Sequence, residues 1–439
     1  MKAGKCWVVG WLLAVVPLMA NHQIVRCAPL SDVPAAEPGA AVPNIVGLWQ
    51  ATTVSMTTPD GSRKTLAEAD SRFNVAISAT RLTMRVRDKL LSDMSYVLNA
   101  KQTPWAIDLK SADGAMLGIC QRKADRLRIS LNDQAKGRPH NFRPKENGMV
   151  LELTRFPVRS LFMINANGSG RRRILTMWDN TITGSPDWSH DGKRIALDAW
   201  KSIYGEGAGD ACMLVVNVDG TGRKDLGPGY MPCWSLDDKQ LAFSSNQPER
   251  GICIMKADGS DRHCIDPEGW GAQWSPKRNE IAYTHYRDGR ADLCIYDLGK
   301  RQRRDLLDRD YRQIYHQLTW SPDGNWLCFN GTRPDGSVEI AAVSRAGEKQ
   351  GFTIVVPASW TAAFESVGGG PAWGGDGEQI IFTGQSKGSR LSRMYLVDFK
   401  DGKPPRLFPG LPDDWNIGTM VWSPDGKKLA FCAFPGEKR

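Results

Sequence analysis

The chain has 439 residues, of which 41% are hydrophobic and 24% charged, with 44 glycines and a formal net charge of +9. This composition excludes an intrinsically disordered chain and is typical of a soluble, turn-rich protein. The length allows more than one folded domain, because single hydrophobic cores stop growing near ~250 to 300 residues.

The first 20 residues have the pattern of an export signal. Lys2 and Lys5 precede an apolar run from Cys6 that ends in a small residue, Ala20. The run is short for a permanent membrane span, so we expect cleavage and an exported protein, periplasmic or extracellular, with no transmembrane span afterwards. The alternative is an uncleaved signal that anchors the chain. Residues 21–43, rich in proline and alanine, are predicted to form an extended linker.

Ten cysteines in an exported chain raise the question of disulfides. Five of them lie inside apolar runs that read as strands, which favours buried free thiols over a disulfide framework. These five are Cys212, Cys253, Cys294, Cys328 and Cys432. No Cys-x-x-Cys spacing occurs, so the sequence predicts no zinc cluster.

Residues 44–156 alternate between apolar and polar positions. Clear examples are 73–77, 81–86 and 126–131. Such alternation indicates strands with one buried face. About eight strands without a convincing helix favour a small antiparallel barrel.

This region resembles a lipocalin-like domain family of bacterial exported proteins. The residues that carry the resemblance are Gly47-Leu48-Trp49, Thr103 to Leu109, Gly118-Ile119, Asp125-Arg126-Leu127 and Gly137 to Phe142. The family favours an aromatic residue after the Gly-Ile pair, whereas this chain has Cys120. The resemblance implies a barrel that either holds a small apolar ligand or is filled by its own side chains. We expect a filled interior, with Trp49 and Trp105 as core or barrel-end residues.

A tryptophan motif recurs six times in residues 157–439. The copies are Trp188-Ser189-His190-Asp191-Gly192, Trp234-Ser235-Leu236-Asp237-Asp238, Trp274-Ser275-Pro276-Lys277-Arg278, Trp320-Ser321-Pro322-Asp323-Gly324, Trp373-Gly374-Gly375-Asp376-Gly377 and Trp422-Ser423-Pro424-Asp425-Gly426. The tryptophans are 46, 40, 46, 53 and 49 residues apart. Periods of this length, with turn residues between short apolar runs, are typical of β-propeller blades.

Each blade also has a second strand pair that ends in an Asp-Gly or similar turn. The first of these pairs, residues 161–176, precedes the first tryptophan motif, and the last motif pair, residues 417–433, has no pair after it. We therefore predict that the two incomplete halves combine into one blade and close a six-bladed ring.

The Trp-Ser-Pro-Asp-Gly pattern resembles the TolB-like family of WD-type propeller repeats. Copies three and five depart from it at Lys277-Arg278 and Gly374-Gly375, which leaves their turns less certain. The predicted fold is therefore all-β: a lipocalin-like barrel followed by a six-bladed TolB-like propeller. The resemblance implies recognition of a protein or peptide partner in the cell envelope, and packing and hairpin geometry explain the motif itself.

Basic residues recur where the outermost strand of each blade is expected, as at 171–173, 223–224, 262, 301–304 and 406. Charge at an outer edge opposes edge-to-edge pairing of sheets. The positive charge therefore predicts protected edges, and we expect no nucleic-acid partner.

Nine aromatic residues fall on the connections of one propeller face. They are Trp178, Trp200, Tyr204, Tyr230, Trp270, Tyr315, Trp360, Phe364 and Trp415. Such rings grip a peptide or stack on a glycan, or they wedge between neighbouring blades. We predict that this face binds a protein or peptide partner, with peripheral envelope association and a glycan as the second ligand class.

Catalytic patterns are absent from the sequence. There is no Gly-x-Ser-x-Gly elbow and no phosphate loop. His285 and His316, beside Tyr286 and Tyr315, are the histidines that a metal in the channel would recruit. We predict a non-enzymatic binding or scaffold protein with no catalytic residue, metal or cofactor. The alternatives are a metal-dependent propeller enzyme that acts on a polysaccharide and a small-ligand carrier that uses the barrel.

Overall fold

The computed structural model describes residues 45–57, 62–67, 73–78, 80–86, 89–112, 114–123, 125–143, 148–156, 158–177, 182–200, 211–287 and 290–435. The export signal and the linker lie outside these residues and stay predictions. The chain divides into two compact units, one that ends at Pro157 and one that begins at Val158. None of the helices in the described ranges has the length and apolar character needed to cross a membrane.

The first unit is a closed antiparallel barrel. β1 pairs with β9 along one edge, which closes a ring of eight strands formed by β1 and β3 to β9. Along its other edge, the first half of β1 pairs with β3 and the second half with β2. The strands are β1 (Gly47–Thr57), β2 (Arg63–Ala67), β3 (Phe73–Ile77), β4 (Arg81–Val86), β5 (Lys89–Asn99), β6 (Trp105–Ser111), β7 (Gly114–Lys123), β8 (Arg126–Asp133) and β9 (Met149–Arg155).

The barrel interior is occupied by its own side chains. One apolar cluster contains Trp49, Ile77, Cys120 and Leu151, each fully buried. The indole N–H of Trp49 donates to the carbonyl of Ile45 at 2.9 Å, which satisfies its polar atom. This cluster favours a filled barrel, which stays a prediction.

The motifs shared with the lipocalin-like family meet on the outside of this barrel. Arg138 pairs with Asp108 at 2.6 Å and donates to the carbonyl of Gly118 at 2.6 Å. Asn132 donates to the carbonyl of Gly137 at 3.1 Å. A Cβ at Gly118 would lie 2.7 Å from the carbonyl oxygen of Ser130, so the strands approach too closely for a side chain there. These contacts therefore hold the loop after β8 against the barrel.

The described residues of the second unit form 25 strands and one short helix. The strands are β10 (Ser160–Asn165), β11 (Arg172–Leu175), β12 (Ile182–Trp188), β13 (Arg194–Trp200), β14 (Ala211–Asn217), β15 (Lys224–Pro228), β16 (Tyr230–Trp234), β17 (Gln240–Ser245), β18 (Gly251–Lys256), β19 (His263–Asp266), β20 (Gly269–Trp274), β21 (Glu280–Arg287), β22 (Arg290–Asp297), β23 (Gln302–Asp305), β24 (Gln313–Ile314), β25 (Thr319–Trp320), β26 (Trp326–Thr332), β27 (Val338–Ser344), β28 (Phe352–Val356), β29 (Phe364–Trp373), β30 (Gln379–Ser386), β31 (Ser392–Asp398), β32 (Arg406–Leu407), β33 (Asn416–Trp422) and β34 (Lys428–Phe434). The helix α1 spans Ala358–Thr361, and 3-10 turns span Gln134–Lys136 and Glu348–Gln350.

These strands form six antiparallel sheets, the blades of a propeller. Blade 1 is β12 to β15, blade 2 is β16 to β19, blade 3 is β20 to β23, blade 4 is β24 to β28 and blade 5 is β29 to β32. Blade 6 combines β33 and β34 with β10 and β11. Ser160 pairs with Ala433 and Asn165 with Lys428, so the predicted closure of the ring is confirmed.

The repeated motif builds the hairpin between the first two strands of a blade. The hydroxyl of Ser423 accepts the N–H of Lys428 at 2.9 Å and donates to Asp425 at 2.6 Å. This hydrogen bond from Ser423 lowers the pKa of Asp425 below its usual range. In copy five, which lacks the hydroxyl, the carboxylate of Asp376 accepts the equivalent N–H, that of Gln379, at 3.3 Å.

One cysteine prediction is wrong. Cys253, expected as a free thiol, forms a disulfide with Cys264. The two residues are direct partners in the pairing of β18 with β19, which the sequence alone did not place opposite each other. Among the described residues, Cys120, Cys233, Cys294, Cys328 and Cys432 are free thiols, and Cys212 donates to the carbonyl of Ala199 at 3.6 Å.

The basic outer strands lie against aromatic rings. The guanidinium carbons of Arg171, Arg173 and Arg262 lie 4.6, 5.4 and 4.4 Å from the ring centroids of Trp415, Phe162 and Phe243. Cation–π contacts of this kind cover the rings and keep the charged ends in water.

Candidate functional site

The innermost strand of every blade bulges at the same place. In blade 1, Gly184 pairs with Asp198 and Asp187 pairs with Ala196, which leaves one extra residue on the inner strand. Blades 2, 3 and 6 repeat this offset, and blades 4 and 5 have two extra residues. Ser185 and Met231, at the bulges, have φ angles of 43° and 50°. A bulge interrupts the ladder, so its backbone groups need partners elsewhere.

Those partners come from a belt of buried residues on the second strand of each blade, ten positions after the motif tryptophan. We call this set the polar belt: Asp198, Ser244, Thr284, Asn330, Thr383 and Cys432. Three members make a bond to the next blade: Asp198 accepts the N–H of Met231 at 2.9 Å, Ser244 accepts that of Gly271 at 2.8 Å, and Asn330 donates to the carbonyl of Val367 at 3.0 Å. Thr383 instead donates to Gly368 in its own blade. The polar belt therefore joins several neighbouring blades, and Asp198 is its only member with a carboxyl group.

A glutamine spans the channel at the level of the bulges. Blades 1 and 4 stand opposite each other in a ring of six. Gln317 of blade 4 donates to the hydroxyl of Ser185 in blade 1 at 3.2 Å, and its oxygen accepts the N–H of Gly370 in blade 5 at 2.7 Å. The side chain thus ties three blades together across the axis.

Five rings lie in contact along one end of the inner strands, and we call them the aromatic arc. Successive centroids are 5.3 Å apart for Trp200 and Tyr230, 5.5 Å for Tyr230 and Trp270, 6.1 Å for Trp270 and His316, and 5.7 Å for His316 and Tyr286. The arc crosses blades 1 to 4 on the side where the inner strands begin. Tyr230 is buried, and the other four rings are half-buried.

Hydrogen bonds fix the arc at the end in blades 3 and 4. The hydroxyl of Tyr286 donates to the carbonyl of Ile314 at 2.8 Å, and Nδ1 of His316 lies 3.3 Å from the hydroxyl of Thr284. Burial lowers the pKa of His316 and raises the pKa of Tyr286 to about 12. Both rings are therefore neutral near pH 7, and the arc is an uncharged surface with polar edges.

The structure brings together three of the nine predicted face residues: Trp200, Tyr230 and Trp270. Tyr315 is half-buried beside His316, and its N–H donates to the carbonyl of Asn330 at 2.9 Å. Trp178 and Tyr204 lie outside the described residues.

Trp360, Phe364 and Trp415 pack away from the arc. Trp360, in α1, and Phe364 pack on the apolar cluster between blades 4 and 5. Trp415 is 9% exposed and its ring lies 4.6 Å from Phe162 in the cluster of blades 5 and 6. These three rings therefore pack in the apolar clusters between neighbouring blades.

Blade 1 contains two acids that the sequence reasoning missed, the half-buried Asp187 and the buried Asp198. Asp187 accepts the N–H of Trp234 at 2.7 Å, and burial raises its pKa to about 7. Burial also raises the pKa of Asp198, although the hydrogen bond from Met231 opposes this. An alignment of the six copies would have singled out both acids, because none of the other five copies has an acid at either position. The positions equivalent to Asp187 hold Cys233, Gln273, Thr319, Ala372 and Val421, and those equivalent to Asp198 are the other members of the polar belt.

The two histidines considered as metal ligands have different partners. Nε2 of His285 lies 3.2 Å from Glu268, whereas His316 contacts Thr284 and the arc. In the part of the chain that the structure describes, no group of three or more His, Cys, Asp or Glu residues could hold a metal ion.

No protein-family model matches the chain. An uncharacterised protein of Agrobacterium fabrum is 23% identical over 278 residues, which cover 60% of this chain and 89% of that protein. The dipeptidyl-peptidase 5 of Porphyromonas gingivalis is 23% identical over 275 residues, and the match spans 50% of this chain and 40% of the peptidase.

Among solved structures, a TolB-type protein from Agrobacterium tumefaciens shares 19% sequence identity with a TM-score of 0.50, covering 64% of this chain and 99% of that chain. At this identity the likeness concerns the fold alone. The chain has a TolB-like β-propeller preceded by a closed antiparallel barrel of lipocalin-like form.

Proposed function

We propose that this chain is an exported, non-enzymatic binding protein whose propeller recognises a protein or peptide partner through the aromatic arc. The observation that carries the proposal is the contact of five rings across four blades at one end of the inner strands. Rings of this type offer large apolar area at little cost in side-chain entropy, and their polar edges orient a ligand.

The surroundings of the arc favour docking on the face over threading through the channel. Tyr230, Trp270 and His316 each stand directly before a bulge residue in the chain. At the bulges, Gln317 already reaches Ser185 across the axis. Because Gln317 crosses the channel at this level, a partner segment that binds the arc does not pass further into the channel.

The alternatives draw less support from the contacts. A small-ligand carrier needs space in the barrel, where the apolar cluster around Trp49 lies. A polysaccharide-acting enzyme of the expected kind needs a metal, and His285 and His316 contact different groups. A glycan remains the second ligand class, because aromatic rings also stack on sugars. Export and envelope association rest on the pattern of residues 1–20.

A pull-down from the native envelope tests the proposal, with Trp270→Ala as the variant and Trp415→Ala as the matched control. Both changes remove an indole, but Trp270 lies in the arc and Trp415 in a blade core. We expect Trp270→Ala to lose the partner while melting near the wild-type temperature. Trp415→Ala should keep the partner while melting lower. Retention of the partner by Trp270→Ala at the wild-type level would overturn the proposal.

A further inference from the structure

The outer strand of blade 4 lacks the basic residue that the other outer strands carry. The pairing of the outer strand with the third strand defines one equivalent position in each blade. Five blades have a basic residue there: Arg172, Lys224, His263, Arg304 and Arg406. Blade 4 has Thr353. Charge at an outer edge opposes pairing with another sheet, so β28 lacks a protection that the other five described outer strands have.

The edge of β28 is apolar and partly open to solvent. The strand consists of Phe352, Thr353, Ile354, Val355 and Val356, none of which is charged. Ile354 is 41% exposed, and Phe352 and Thr353 are half-buried. An exposed apolar edge strand of this kind invites pairing with another strand.

The charged groups near the start of β28 are paired with each other. The guanidinium of Arg309 lies 3.5 Å from the centroid of the Phe352 ring and donates to Glu348 at 2.6 Å. The ammonium group of Lys349 lies 3.6 Å from Asp308. These charges therefore compensate one another and do not repel a strand that approaches β28.

The backbone of β28 has hydrogen-bonding groups that point away from its own blade. The N–H of Ser344 in β27 donates to the carbonyl of Gly351 at 2.8 Å, so Gly351 faces β27. Because bonded positions alternate along an antiparallel ladder, Thr353 also faces β27, and the N–H and C=O groups of Phe352 and Ile354 point outward. Outward groups on an edge are a template for a further strand.

These outward groups match those of a second copy of the same strand. An antiparallel pair with its two-fold axis at Thr353 places Phe352 opposite Ile354 of the second copy, and the reverse, so that the outward groups bond one another. The same register puts an aromatic ring beside a β-branched side chain, a combination that stabilises sheets. On the other face of the sheet the two threonines meet.

Charge favours this contact in blade 4 and opposes it in the other blades. The chain has a net charge of +9, so two copies repel each other in general. In each of the other five blades, a two-fold axis at the equivalent position brings two basic residues face to face, which destabilises a strand pair. At Thr353 two uncharged side chains meet instead, and Lys349 lies toward the Pro357 end of the second copy.

We propose that the chain forms a two-fold dimer in which β28 pairs antiparallel with β28 of a second copy. The two blade 4 sheets then form one continuous sheet. This contact lies on an outermost strand, whereas the aromatic arc lies at the inner strands. The dimer and the proposed function can therefore hold or fail separately.

Sedimentation velocity of the purified protein tests the dimer. We expect wild type to shift from one chain to two as its concentration rises from about 1 to about 100 μM, a range of moderate affinity. Thr353→Arg should weaken this association by about tenfold or more, because two cations then face each other. Five blades fold with a basic residue at this position, so the variant should keep the wild-type melting temperature. Leu407→Arg, which adds the same charge at an exposed site on the outer strand of blade 5, is the matched control and should dimerise like wild type.

Amide hydrogen exchange gives a second measurement. The N–H groups of Phe352 and Ile354 are bonded in the dimer, so their exchange should slow as the concentration rises. Wild type that stays monomeric over this range would overturn the proposal, as would a dimer that Thr353→Arg leaves unchanged. If Thr353→Arg does not fold, wild-type exchange at Ile354 decides, and equal rates at both concentrations refute the dimer. Pairing of β28 with a different envelope protein, without any homodimer, also refutes it.

Discussion

Replacing Asp187 with asparagine should make the propeller less sensitive to pH. In the folded protein the carboxyl group of the half-buried Asp187 accepts the N–H of Trp234 and lies near Asp238. Desolvation by burial raises its pKa from 3.8 to about 7, so the folded state holds this proton more tightly than the unfolded chain. The wild-type protein therefore loses stability as the pH rises from about 4 to about 7 and changes little above that.

The magnitude follows from the size of the pKa shift. A rise of roughly three units corresponds to about 4 kcal/mol at most, since each unit is worth about 1.4 kcal/mol. Between pH 5 and pH 8, the linkage relation gives a change of about 2 to 3 kcal/mol. Asparagine keeps an oxygen for the N–H of Trp234 but cannot ionise. The variant should lose this part of the pH dependence and be the more stable protein at pH 8.

Urea unfolding of both proteins at pH 5 and pH 8, followed by tryptophan fluorescence, measures the effect. The comparison of wild type with variant removes the contribution of every other titrating group. We expect their difference in unfolding free energy to grow by about 2 to 3 kcal/mol from pH 5 to pH 8 in favour of the variant. A difference that is the same at both pH values would refute the reasoning.

Three further changes test the construction of the blades. Phe431→Ala, in the strand that pairs with β10, should lower the free energy of unfolding in urea by about 3 to 5 kcal/mol, because the ring is fully buried. A loss below about 1 kcal/mol would show that the closing blade contributes little to stability. Ser423→Ala should cost about 1 kcal/mol per hydrogen bond lost and raise the pKa of Asp425 toward its usual value, which NMR titration of the carboxyl measures; an unchanged pKa would contradict the assigned bond. Cys264→Ser should lower the free energy of unfolding by about 2 to 4 kcal/mol under oxidising conditions, because it removes the disulfide. If wild type and variant differ by the same amount in a reducing buffer, the disulfide is not the cause.

Local chemistry explains why the propeller was predictable. Four of the six hairpins join a serine to an aspartate two residues later, as at Ser423 and Asp425, and the number of motif copies gives the number of blades. The closing of blade 6 also followed from counting, because only residues 161–176 could complete it.

The site was harder to predict because packing between blades decides it. Trp270 and Trp415 occupy similar places in the repeat, yet Trp270 contacts rings of the neighbouring blades while Trp415 is enclosed by Phe162 and Phe431. The bond from Asp198 to Met231 joins different blades, and no short sequence window contains both residues. The disulfide was missed for a related reason, since the pairing register of β18 with β19 sets it.

Site-specific photo-crosslinking tests the central claim most directly. A benzoylphenylalanine at Tyr315, beside the arc, is compared with one at Leu236, which is 44% exposed in the hairpin at the opposite end of β16. The account predicts that, in cells, the partner crosslinks to position 315 and not to position 236. Crosslinking at position 236 alone would contradict it.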